Sequence, residues 1–172
     1  ENADLDKLAA IDESIKIDED NVWICDFRVG DVVTLEQALY GAIVNSGNDA
    51  AIIVATTVAG SVSAFSDLMN KRALEIGATN SHFVNPHGLT NEQHYTTAYD
   101  LYLIFKEVAK HNEFFNIAGR SSSRIEYTGS KGQLKVYDMA STNQYIAGTY
   151  TLPSNVYMIG GKTGTTTQAG SC

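Results

Sequence analysis

Val44-Asn45-Ser46-Gly47-Asn48-Asp49-Ala50-Ala51 is a small polar knot between two apolar runs, Leu39 to Val44 and Ala50 to Ala59. A hydroxyl and a carboxamide two residues apart have no obvious packing role between two buried helices. Polar groups cost free energy to bury unless they are hydrogen-bonded, so such a knot calls for partners. Taken locally, the plainer reading is a helix junction in which Ser46 or Asn48 caps the next helix. The rest of the chain has to decide between capping and chemistry.

Working outward, Thr34-Leu35-Glu36-Gln37 is a capping box, and Leu35, Leu39, Ala42 and Ile43 follow on one face at helical spacing. On the other side of the knot, Asp49 falls in a first helical turn, where a carboxylate suits the dipole. The run from Ala50 to Ala59 is apolar nearly all round and reads as a central helix ended by Gly60. A third helix is expected from 63 to 76, with Phe65, Leu68, Met69, Ala73 and Ile76 as its stripe. A fourth opens at Thr97-Ala98-Tyr99-Asp100 and closes at His111-Asn112. Asn85-Pro86-His87-Gly88-Leu89 between them is a turn stretch.

Strand signals lie toward the ends. Ile11, Ile15 and Ile17, then Val22-Trp23-Ile24, suggest short extended pieces. Arg124 to Tyr127 and Leu134 to Tyr137 flank a Gly/Ser/Lys turn, as in a hairpin. Asn143 to Ala147 suggests a short helix. Val156-Tyr157-Met158-Ile159 is the best strand pattern, running into Gly160-Gly161-Lys162-Thr163-Gly164-Thr165. This predicts an α+β chain: a helical lobe over 34–111 beside a sheet-side segment over 121–172 that carries the Lys-Thr-Gly strand.

The 172 residues are 44% apolar and 19% charged, a folded composition. A net charge of −8 with no basic cluster argues against nucleic acid or an anionic membrane as the main partner. No apolar run is long enough to cross a bilayer as a helix. Cys25 and Cys172 could pair only in an oxidising compartment, and two unpaired thiols remain the plainer reading.

Most candidate chemistry falls away. His82, His87 and His94 sit at irregular spacing with no acid or Cys placed to complete a metal shell, so no metal and no cofactor are expected. Gly161-Lys162-Thr163 invites a phosphate-loop reading. Val156 stands where that motif needs its first glycine, and Thr165 to Thr167 argue against the helix that must follow. A strand end bearing Lys, Thr and Gly suits a different ligand. Lys162 supplies positive potential, Thr163 a directional hydroxyl, and Gly164 lets a peptide approach the edge, as for a carboxylate-bearing peptide end laid beside the strand.

Ser46-Gly47-Asn48 followed by Lys162-Thr163-Gly164 resembles the second and third motifs of the penicillin-binding serine enzymes. Gly30 to Gln37, Asn45 to Ala51, Asn85 to Leu89, Tyr95 to Leu101 and Lys162 to Gly170 are similar to the low-molecular-weight D-alanyl-D-alanine carboxypeptidases, in that family's order. The resemblance implies the penicillin-binding/β-lactamase-like transpeptidase fold, a five-stranded antiparallel sheet packed with helices. It also implies an extracytoplasmic enzyme that cleaves the terminal D-Ala of peptidoglycan stem peptides through a serine acyl-enzyme, and that β-lactams acylate. By position, Ser46 would relay a proton to the leaving amine. Asn48 would bond the substrate amide and help orient the catalytic lysine, and Lys162 would add positive potential. Gly47, Thr163 and Gly164 would help form the substrate site, with Thr163 on the carboxylate, and the Thr165 N–H would serve as one oxyanion donor.

The chain departs from the family in one respect: no serine is followed by lysine three residues on. The expectation is therefore a truncated piece, inactive alone, lacking most of the sheet and exposing apolar surface along 156–162 and 50–59, so that it self-associates. A β-lactamase of the same superfamily and a non-catalytic binding module derived from the enzyme are the rival readings.

Overall fold

A computed structural model describes residues 3–17, 19 and 22–171. Cys172 lies outside them, so the pairing question does too. The element order begins with β1 (Leu8–Ala10), a 3-10 turn (Glu13–Ile15), β2 (Val32–Thr34), α1 (Leu35–Ile43) and α2 (Asn48–Ala59). It continues with α3 (Val62–Glu75), α4 (Ala98–Val108), α5 (Asn112–Ala118), β3 (Ser122–Thr128) and β4 (Leu134–Ala140). The short strands β5 (Thr165–Thr166) and β6 (Gly170–Ser171) close it.

The capping box at Thr34 forms as its sequence predicts. Thr34 Oγ1 accepts from Gln37 N at 3.1 Å, and Gln37 Oε1 accepts from Thr34 N at 3.0 Å. The same Gln37 side chain donates to Glu126 O at 2.7 Å, which pins α1 onto the sheet. Four antiparallel strands run in the order β1-β2-β3-β4. Val32 pairs with Thr128, and the β3–β4 hairpin pairs from Ser122↔Ala140 to Thr128↔Leu134. Its turn is closed by Gly129 N donating to Gln133 O, with Gly132 at φ 79 supplying the left-handed residue.

Alternation along the hairpin turns Ile125, Tyr127 and Met139 inward against Val33, Ala38, Val44, Ala50 and Ile53. Phe27 meets Tyr127 edge-on at 5.5 Å between ring centres. Burying a side chain of this kind stabilises the fold by about 1.5–3 kcal/mol, so this seam between sheet and helices is the main source of stability. Asp31, fully buried, ties the 28–31 turn to the hairpin. It accepts from Ser130 N at 2.9 Å, Lys135 Nζ at 2.8 Å and Arg28 N at 3.1 Å. That ion pair holds the Lys135 ammonium above its ordinary range.

Several expectations are corrected. The α4 helix stops at Val108, and His111 starts a separate helix, α5, whose Ile117 and Ala118 are buried. The 143–147 stretch is a run of turns and not a helix: Ala147 N donates to Asn143 O at 2.8 Å, and Thr149 N donates to Gln144 O at 2.9 Å. Residues 156–162 are not a strand: no neighbouring strand offers them a ladder among the described residues, and pattern without a partner leaves them irregular. Most of the apolar surface expected to be exposed on helix 50–59 is covered by α1 and α3, with Ala50, Ile52, Ile53 and Ala55 buried and Val58 left exposed. Exposure is found at the other place named, with Tyr157 84% and Ile159 63% exposed.

Candidate active-site cleft

The knot is a crossing point. After α1 the chain turns through Ser46, a non-glycine residue at φ 61, and enters α2 with Gly47 as N-cap and no side-chain cap at all. The knot does join two helices, but neither Ser46 nor Asn48 caps α2, which sets the capping reading aside. Beneath the knot runs segment 23–27, which belongs to no sheet and bends at Asp26, a non-glycine residue at φ 61. Its backbone groups are satisfied by the start of α2 in place of a neighbouring strand. The Cys25 and Phe27 N–H groups, two residues apart and on one side, meet the two carboxylate oxygens of Asp49 at 2.8 and 3.2 Å. Trp23 O accepts from Asn48 N at 3.0 Å and Asn48 Nδ2 at 2.8 Å, while Trp23 Nε1 donates to Asn45 O at 2.6 Å.

Asp49 is thus a clamp, beyond the dipole role its position suggests. Burial pushes its carboxyl above the ordinary range, against the N–H bonds that pull it down. Asn45 Nδ2 donates to Cys25 Sγ and to Tyr137 Oη, both at 3.2 Å. Burial, with the Asp49 charge adding to it, pushes the Cys25 thiol up to about 12, so this sulfur behaves as an inert packing atom.

Opposite the knot stands the Lys-Thr-Gly segment. Lys162 Nζ donates to Ser46 Oγ at 2.6 Å across 116 residues of sequence, and also to Thr163 O at 2.5 Å. Thr163 Oγ1 lies 3.1 Å from Thr142 Oγ1. Ser46 and residues 161–165 line one cleft of about 740 Å³, whose other walls include Trp23, Thr142 and Tyr145. That volume suits a small peptide-sized ligand.

The structure therefore brings Ser46, Lys162, Thr163, Gly164 and Thr165 together. Asn48, the first residue of α2, is not among the residues that line this cleft; its carboxamide nitrogen is turned back to Trp23 O at 2.8 Å. Gly47 is fixed by space: a Cβ there would run into Cys25 Sγ and lie 2.9 Å from Asp49 Oδ1. Sequence reasoning missed Asn45, Cys25, Trp23 and Thr142. Only Asn45 carried a signal, as a third polar residue in the knot. Chemically, an ammonium against a hydroxyl is able to pass a proton, and a threonine hydroxyl beside that cation is able to bind a carboxylate.

The crystal structure of the DD-transpeptidase of Streptomyces K15 superimposes with a TM-score of 0.88 at 27% identity, over 99% of this chain and 66% of that one. A penicillin-binding protein homologue from Mycobacterium tuberculosis gives 0.79 at 27% identity, over 98% and 60%. The fold is the penicillin-binding transpeptidase fold, a helical lobe with part of an antiparallel sheet. The D-alanyl-D-alanine carboxypeptidase profile, peptidase family S11, matches residues 5–172, and the chain belongs to that family. Its sequence is 40% identical to DacF of Bacillus subtilis over 90 residues, 52% of this chain and 23% of DacF. It is 29% identical to the D-alanyl-D-alanine carboxypeptidase of Streptomyces strain K15 over 150 residues, 84% of this chain and 50% of that protein. The matched stretches thus span a quarter to a half of these two relatives.

Proposed function

We propose that this chain forms one side of the active site of an extracytoplasmic enzyme that removes the terminal D-Ala from peptidoglycan stem peptides. In this reading a serine outside the chain, in a Ser-x-x-Lys motif, is acylated by the peptide or by a β-lactam. The observation that carries the reading is the 2.6 Å contact between Lys162 Nζ and Ser46 Oγ, which joins two motifs far apart in sequence at one cleft.

Each residue then has a task. Ser46 Oγ, accepting from the Lys162 ammonium, keeps its own proton free to donate to the leaving amine. Lys162 draws the substrate carboxylate, and Thr163 donates to it. Asn48 bonds the peptide amide on the other side of the substrate and helps orient the catalytic lysine. Gly47 lets the knot fold tightly enough to present these groups, and Gly164 leaves room for the peptide backbone. The Thr165 N–H is one oxyanion donor, a contact worth about 10² to 10³ in rate. With no Ser-x-x-Lys in its sequence, the chain alone binds without turnover.

A fluorescent penicillin tests this directly. The chain alone should take no covalent label, while a longer protein that contains it and carries Ser-x-x-Lys should label stoichiometrically at that serine. A stoichiometric adduct on the chain alone would overturn the assignment of roles. Hydrolysis of β-lactams faster than of D-Ala-D-Ala peptides by the longer protein would favour the β-lactamase reading. A longer protein without Ser-x-x-Lys would favour a binding module. The exposed Tyr157 and Ile159 favour self-association of the chain, which size-exclusion chromatography checks.

A further inference from the structure

Segment 141–143, between β4 and the cleft, touches both walls at once. Thr142 N donates to Val44 O at 3.1 Å, two residues before Ser46, and Ser141 N donates to Ser121 O at 2.9 Å. Asn143, 7% exposed, accepts through its carboxamide oxygen from Tyr145 N and Ile146 N at 3.1 and 3.4 Å. Its Nδ2 lies 3.3 Å from the place a Cβ on Gly161 would occupy. The backbone on either side of Thr142 is therefore fixed, and its β-branched side chain has few rotamers. What this anchored frame delivers into the cleft is one hydroxyl, 3.1 Å from that of Thr163.

We propose that Thr142 is a positioning residue for the carboxylate seat: its hydroxyl donates to Thr163 Oγ1, so that the Thr163 hydrogen points at the substrate's C-terminal carboxylate. The inference rests on the D-Ala-D-Ala reading above. A threonine hydroxyl has one hydrogen and two acceptor sites. Left alone, Thr163 could spend its hydrogen on a neighbouring oxygen or on water. With Thr142 donating into it, the chain Thr142 O–H to Thr163 O–H to carboxylate has one direction, and each bond polarises the next. Because Thr142 N is bonded to Val44 O, the same residue holds the seat at a set distance from Ser46. That distance is what selects a substrate whose carboxylate lies one residue from the scissile amide.

The test uses this chain, which binds without turnover on that reading. An N-acylated peptide ending in D-Ala-D-Ala is titrated by NMR, as the free carboxylate and as the C-terminal amide, against wild type, Thr142→Val and Thr142→Ser. Valine keeps the branched shape and removes the hydroxyl, and serine restores it. We expect Thr142→Val to weaken the free-acid peptide by about two- to tenfold, the reach of one hydrogen bond. The amide peptide should change little, the melting temperature should stay put, and Thr142→Ser should recover most of the loss. Equal weakening of both peptides, no weakening, or no recovery with serine would each overturn the inference while leaving the functional reading standing. Failure of wild type to prefer the free acid would overturn both.

Discussion

Gly47→Ala isolates what the knot requires. The backbone there, φ −69 and ψ 121, is ordinary for any residue, so alanine brings no conformational penalty. Space is the obstacle. The new Cβ would overlap Cys25 Sγ and fall 2.9 Å from Asp49 Oδ1 and 3.2 Å from Cys25 N. Cys25 is 1% exposed and its sulfur already packs 3.6 Å from Gly41 O, so it has little room to retreat. Either the knot or segment 23–27 must move. Overpacking costs about 1–3 kcal/mol, and stretching a backbone bond to Asp49 adds about 1 kcal/mol. We expect a total of about 2–4 kcal/mol, a melting temperature lower by roughly 5–15 °C for a chain of this size. Cys25→Ala removes the obstructing sulfur at a cost of about 1 kcal/mol. In that background Gly47→Ala should cost at least about 1 kcal/mol less, a coupling that urea unfolding of the four proteins measures. Gly47→Ala within about 0.5 kcal/mol of wild type, or strictly additive single changes, would refute the steric argument.

Asp49→Asn should destabilise the chain by about 2–3 kcal/mol, because its NH₂ would face a buried N–H of Cys25 or Phe27. Unchanged urea midpoints would count against the clamp. His87 provides the pH dependence. Burial, with His94 beside it, lowers its folded value to about 4 from an ordinary 6.5, and its Nδ1 accepts from Leu89 N at 3.2 Å. A depressed imidazole means the unfolded state binds the extra proton first, so stability falls as pH drops from about 6.5 toward 4. Comparing unfolding at pH 7 and 4.5 in wild type and His87→Gln checks this; the same pH slope in both proteins would rule it out.

How much of this was legible in the sequence follows from how local each signal is. The Thr34–Gln37 box and the 122–140 hairpin carry their instructions within a few residues, and both form where expected. Helix α5 is seven residues long, too short to be helical on its own propensity, and is held by burying Ile117 and Ala118. The 156–159 run shows the reverse: good β-propensity counts for nothing without a ladder partner. At the cleft, Ser46 and Lys162 were readable because family motifs name them. Trp23, Cys25 and Thr142 were not, since their roles depend on contacts 20 or more residues away that no spacing rule encodes.

The left-handed turn at Ser46 has a consequence for how this surface tolerates change. At φ 61 a side chain costs on the order of 1–3 kcal/mol that glycine would not incur. A screen for stability alone should therefore drift toward glycine at position 46, and each such gain would strip the hydroxyl from the end of the Lys162 ammonium. Selecting variants by melting temperature would lead away from a working cleft; selecting by peptide capture would keep the strained serine in place.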